Sequence, residues 1–218
     1  MAQIPRVLSI AGTDPTGGAG IQADLKSIAA AGGYGMSVVT ALVAQNTQGV
    51  REIHTPPQSF LRAQLDAVFD DVTVDAVKIG MLGDAETTQT VADYLAAHPV
   101  PVVVVDPVMV ATSGDRLLSA DAEAALRQLV ADHATVVTPN IPELAVLTGE
   151  SEPDSFDAAV ELGQRYAREA DVQVLVKGGH LSGERASNAL VAPDGTTHVA
   201  EVPRVATKNT HGTGCSLS

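Results

Sequence analysis

A chain of 218 residues, 45% of them hydrophobic, can bury one substantial core, and its size suits a single α/β domain over residues 1–218 better than two small ones. Its 13 basic and 26 acidic residues leave a net charge of −13, which argues against a partner with a nucleic-acid backbone or an anionic membrane surface. The stretch Val7 to Ala11 is too short for a signal-peptide core and Asp106 ends the apolar run from Val100 well short of a membrane span, so a soluble cytoplasmic protein is expected.

In chain order, short β-branched runs predict strands over Val7 to Ala11, Ser37 to Ala44, Asp75 to Ile79, Pro101 to Val105, Thr135 to Val137 and Gln173 to Val176. Between them, apolar residues recurring at three and four predict helices over Ala19 to Ala31, Ser59 to Asp70, Ala85 to His98, Asp121 to Asp132 and Phe156 to Glu169. Near-continuously apolar strands alternating with helices imply a mostly parallel sheet covered on both faces, the doubly wound α/β arrangement. Ala186 to Val191 and Thr196 to Glu201 flank the turn sequence Pro193-Asp194-Gly195, which predicts an antiparallel hairpin at a sheet edge. A helix starting near Gly212 has few residues before Ser218, so the natural chain is expected to continue beyond this sequence.

The first strand runs into Gly12-Thr13-Asp14-Pro15-Thr16-Gly17-Gly18-Ala19-Gly20, whose glycines suit backbone lying close to a ligand. Gly18 and Ala19 stand where a Walker A loop needs Lys and Ser or Thr, and Gly18 to Ala23 matches a dinucleotide fingerprint in letters but lies well past the strand end. A turn shaped by packing alone is the competing reading, and Asp24 taken singly reads as a solvated helix residue. Asp106 and Asn140-Ile141-Pro142-Glu143 each follow a strand, on the carboxyl edge where ligands of open α/β sheets collect. Two carboxylates there suit Mg²⁺, which takes few protein oxygens and completes its shell with water and phosphate. Equally, Asp106 could cap a turn before Pro107 and Glu143 could begin a helix. Lys177 falls on the same edge.

In Asn209-Thr210-His211-Gly212-Thr213-Gly214-Cys215, a Gly-Thr-Gly turn opening a helix points successive N–H groups at one spot, an anion hole suited to a transferring phosphoryl group. Cys215, the only cysteine, would sit at the positive helix end, where a lowered thiol pKa would let it take a proton from a hydroxyl; a buried structural cysteine is the alternative. The histidines show no paired ligand spacing, which argues against zinc.

Seven blocks in order resemble the hydroxymethylpyrimidine/phosphomethylpyrimidine kinases of the ribokinase-like superfamily: Ala11 to Ser27, Thr40 to Gly49, Val77 to Leu82, Val105 to Met109, Val137 to Glu143, Val176 to His180 and Lys208 to Ser216. The resemblance implies an ATP- and Mg²⁺-dependent kinase that phosphorylates the hydroxymethyl group of a pyrimidine on the thiamine pathway and then its monophosphate. It implies a pyrimidine pocket of Gly12, Asp24, Val43, Gln45, Met81 and Val108, with Asp106 and Glu143 managing Mg²⁺. Asn140, Lys177, Thr210 and Lys208 would serve the nucleotide, and Gly212, Thr213, Gly214 and Cys215 would form the anion hole and its base. Loss of Lys177 is expected to weaken ATP binding while leaving the ligand-free fold little changed. The resemblance also suggests a homodimer and a longer chain. A pyridoxal kinase and a non-catalytic pyrimidine-binding module are the competing readings.

Overall fold

The computed structural model describes residues 3–109, 118–181, 184–207 and 210–218. Arg6–Ala11 (β1) leads through the Gly-rich loop into helix Gly20–Ala30 (α1), then Tyr34–Val39 (β2). Leu42–Asn46 (β3) and Gly49–His54 (β4) come next, and then Gln58–Phe69 (α2), Ala76–Ile79 (β5), Ala85–Ala97 (α3) and Val102–Val105 (β6). Beyond them lie Ala120–His133 (α4), Val136–Val137 (β7), Ile141–Thr148 (α5), Phe156–Ala170 (α6) and Gln173–Lys177 (β8). A 3-10 turn at Gly178–His180, strands Asn188–Val191 (β9) and Thr197–Ala200 (β10), and helix Thr213–Leu217 (α7) complete the order.

An eight-stranded sheet runs β10-β9-β8-β7-β6-β5-β1-β2. It is parallel from β2 to β8 and antiparallel across β8-β9-β10, which bears out the doubly wound α/β expectation and the edge hairpin. Consecutive residues of β1 and β5 are buried, because a central parallel strand is covered on both sides and its sequence cannot alternate. The core joins Leu8, Ile10, Val77, Ile79, Val105 and Val174 of the strands to Leu65, Leu95, Leu129, Leu144 and Leu162 of the helices. At the hairpin turn, Gly195 has φ 89° and its N–H bonds Ala192 O.

The single strand expected over Ser37 to Ala44 is instead two. Thr40 N–H completes the ladder to Ala11 O, and the Thr40 hydroxyl then bonds Met81 O at 2.8 Å, which turns the chain out of the sheet. Thr13 captures the residues just beyond: its N–H bonds Ala41 O, and its hydroxyl accepts Val43 N–H at 2.9 Å. β3 then pairs antiparallel with β4 in a separate two-stranded sheet, with a register shift between Ala44 and Gln45. The order of the main sheet reverses at β1, since β2 lies on one side of it and β5 on the other. The crevice at such a switch point is where open α/β sheets take ligands, and the loops after β1 and β5 diverge there.

Candidate active site

The pocket residues after β1 and β5 meet at the switch point. A Cβ on Gly12 would lie 2.8 Å from Met81 Cε and 3.6 Å from Val43 Cγ2, so only glycine leaves that space open. Gln45 Nε2 donates to Thr13 O at 3.0 Å, which fixes its carboxamide and leaves the side-chain oxygen free to accept from a ligand. Gly12, Val43, Gln45 and Met81 are thus drawn together through Thr13 and Met81 contacts. Val108, half-buried, lies just past the end of β6. A cavity of about 300 Å³ opens beside them, lined by Thr13, Leu42, Val43, Ala44, Glu52 and His54.

Asp24 is not solvated. It is 3% exposed, accepts Ser9 Oγ at 2.6 Å and pairs with Lys78 Nζ at 2.8 Å. Each carboxylate oxygen keeps a further lone pair, so the group can still meet a donor while Lys78 balances its charge. Lys78 was missed in the sequence; the available signal was a lysine inside an otherwise apolar central strand.

A second buried pair lies at the carboxyl edge of β6 and β8. Lys177 Nζ meets Asp106 Oδ1 at 2.8 Å, and Asp106 also accepts Thr138 Oγ1 and Ser218 Oγ, each at 3.1 Å. The turn-capping reading of Asp106 is incomplete, since its side chain is spent on these long-range bonds. Asn140 and Glu143 form a capping box at the start of α5: Asn140 Oδ1 accepts Glu143 N–H and Glu143 Oε2 accepts Asn140 N–H, both at 2.9 Å. Glu143 does begin a helix, as its simpler reading had it. Burial, opposed by Lys177 and reinforced by the Asp106 charge, pushes the Glu143 carboxyl up to about 7. Two carboxylates close enough to sense one another, with a lysine between, fit a Mg²⁺ that shares its shell with water and phosphate. Among the described residues no three His, Cys, Asp or Glu side chains cluster as a metal cage.

The third group is the seam between the Gly-rich loop and α7. Gly212 has φ +74°, and a Cβ there would overlap Gly18 O, so the two backbones touch where only glycine fits. A Cβ on Gly214 would stand 3.5 Å from Lys177 Nζ, which brings the lysine up to the same turn. Thr210, exposed, has its carbonyl tied to the N–H and hydroxyl of Thr213. Lys208 lies outside the described residues. Cys215 is half-buried, with the Gly20 N–H at the start of α1 near enough to its sulfur to favour the thiolate. The expected lowering of its pKa is corrected: burial first, and then the Asp106 charge, push the thiol up, outweighing Lys78 and the Gly20 N–H. A helix of five residues has too few aligned peptides to reverse that balance.

Asp14 is fully buried and also escaped the sequence reading. Burial opposes its ionisation, but bonds from His211, Thr16 and Ala19 outweigh it and hold the carboxyl at about 2.

Among the described residues no helix is long and apolar enough to cross a membrane. Residues 14–218 match the family model described as Phosphomethylpyrimidine kinase. The chain is 64% identical over 214 residues to a thiamine biosynthesis multifunctional protein of Corynebacterium efficiens, covering 98% of this chain and 29% of that one. It therefore spans less than a third of that relative's length. It is 47% identical to the hydroxymethylpyrimidine/phosphomethylpyrimidine kinase of Escherichia coli, over 97% of this chain and 79% of the other. An ADP complex of Bacillus subtilis pyridoxal kinase superposes with TM-score 0.86 at 33% identity, covering 98% of this chain and 80% of that one.

Proposed function

The chain belongs to the phosphomethylpyrimidine kinase family, and from that premise we propose that it transfers the γ-phosphoryl group of ATP to 4-amino-5-hydroxymethyl-2-methylpyrimidine, and then a second one to the monophosphate formed. The observation that carries the reading is that the turn opening α7 packs on α1 on one side and has Gly214 against Lys177 Nζ on the other. A thiol and a buried ammonium thereby come to one turn, where they would serve as proton acceptor and phosphate partner.

The pyrimidine would rest in the crevice after β1 and β5. Met81 and Val43 would meet its faces, the free Gln45 oxygen would accept from the exocyclic amine, and Asp24 would take a remaining donor. Val108 completes that proposed lining from the β6 side. Lys177, Asn140, Thr210 and Lys208 would hold the phosphates, with the Gly212 and Gly214 amides aimed at the oxygens that gather charge during transfer, the Thr213 N–H being spent on Thr210 O. Asp106 and Glu143 would hold Mg²⁺, which when bound supplies positive charge to the phosphate oxygens. Cys215 would accept the hydroxyl proton, with the Lys78 charge favouring the thiolate against burial and the Asp106 charge.

The two steps place different demands on Cys215. An alcohol must lose its proton to attack, whereas a phosphate monoester, with a second pKa near 6, is already largely anionic at neutral pH. Cys215→Ala should lower kcat for the alcohol by about 10²-fold or more and slow the monophosphate step far less. A coupled ADP assay on each substrate measures both, and equal losses would sink the base assignment.

A pyridoxal kinase is the second reading, favoured by the likeness to the Bacillus subtilis enzyme. Competition between the pyrimidine alcohol and pyridoxal in the same assay separates the two. A homodimer forms part of the proposal, supported by exposed Leu42, Val50 and Ile53 on the β3–β4 hairpin; light scattering on the purified protein tests it.

A further inference from the structure

We propose that Asp14 and His211 form a latch that sets the Gly212–Cys215 turn against the Gly-rich loop, which makes His211 a positioning residue for phosphoryl transfer. The inference rests on the kinase reading above for its consequence in catalysis. Its geometry does not depend on that reading.

The two residues are 197 positions apart, and His211 Nε2 donates to Asp14 Oδ2 at 2.8 Å. The Asp14 carboxylate accepts from Thr16 N–H and hydroxyl, from Gly18 N–H at 3.1 Å and from Ala19 N–H at 2.9 Å. It therefore organises the whole loop that leads into Gly20. On the other side, the imidazole directly precedes Gly212, which is pressed onto Gly18 O. The contacts close a ring: Asp14 holds the Gly18 and Ala19 N–H groups, Gly18 O is pressed against Gly212, and the chain returns through His211 to Asp14.

The ring matters because nothing local can place Cys215. α7 has five residues, too few to nucleate alone, and residues 201–207 before it are largely exposed. The position of the thiol is therefore set by tertiary contacts at the seam. An imidazole that donates from Nε2 to a buried carboxylate gives a directed, charge-assisted bond, and it sits one residue from the turn whose amides would face the phosphoryl group. Misplacing reacting groups by about 1 Å can cost about 10²-fold in rate.

The test uses the intact polypeptide and reads three quantities: kcat and KM for the pyrimidine alcohol, melting temperature, and the rate of iodoacetamide labelling on the Cys215 peptide by mass spectrometry. His211→Ala should lower kcat by about tenfold to hundredfold while KM stays within about twofold, and should speed Cys215 labelling several-fold because the seam opens. His211→Gln, whose terminal carboxamide can still donate to Asp14, should recover most of kcat and the slow labelling. Should His211→Ala fail to fold, His211→Gln against His211→Asn makes the same comparison, since the shorter amide stops short of Asp14. Wild-type kcat and labelling in His211→Ala, or a Gln variant no better than Ala or Asn, would overturn the latch. A wild-type protein without ATP-dependent turnover would instead defeat the kinase reading, and the labelling rates would still decide the latch.

Discussion

Two buried lysine–aspartate pairs stand near the carboxyl edge of the same sheet with the same 2.8 Å separation, Lys78 with Asp24 and Lys177 with Asp106. Their surroundings differ. Asp24 has Ser9 as its other partner, so that pair is a small buried network at α1. Asp106 also takes Thr138 and Ser218, lies within the field of Glu143, and has its lysine turned toward Gly214. One pair balances a charge beneath the crevice proposed for the pyrimidine, and the other is open toward the turn proposed to meet phosphate. Identical local chemistry thus acquires different work from what lies around it.

The sharpest way to break this contrast is to remove each lysine. Lys78→Met strands the buried Asp24 charge, and removing one partner of a buried pair costs about 3–5 kcal/mol. Urea denaturation should show that loss, and adding Asp24→Asn should restore much of it while weakening pyrimidine binding. Lys177→Met should cost less, about 2 kcal/mol, because the Thr138 and Ser218 hydroxyls still serve Asp106. Its larger effect should be a raised KM for ATP. The burial of Lys177 corrects the sequence expectation that its loss leaves the ligand-free fold little changed. Equal stability losses in the two variants, or an unaltered KM for ATP in Lys177→Met, would erase the distinction.

The smallest expected effect lies at the seam between the two pairs. Asp14 has its pKa depressed to about 2 in the folded protein, below the 3.8 of an ordinary aspartate. The unfolded chain therefore binds the proton first, and the stability that Asp14 contributes is present above about pH 4 and fades as pH falls toward 2. His211→Ala should raise the folded pKa toward its ordinary value and flatten this part of the acid unfolding curve. A curve of unchanged shape would show that the imidazole does little for Asp14.

Much of this architecture is readable in short windows. The apolar runs of β1, β5, β6 and β8 announce central strands, and Pro193-Asp194-Gly195 announces the turn between β9 and β10. The motif positions after β6 and β8, and the Gly-Thr-Gly turn, also carry their own chemistry, which is why Asp106, Lys177 and Cys215 stood out. The β3–β4 hairpin did not, because all six β4 residues are exposed and no burial pattern marks them. Lys78 reads as an irregularity in a strand until Asp24 is seen opposite, 54 positions earlier.

The sequence by itself therefore determined the layered α/β plan and the residues proposed for phosphoryl chemistry, since periodicity, turn chemistry and glycine spacing act over a few residues. Only the tertiary structure decided which charges are neutralised, that burial and Asp106 raise the Cys215 thiol, and that His211 reaches Asp14. Those outcomes depend on desolvation and on partners brought close from far along the chain, and no local window contains either.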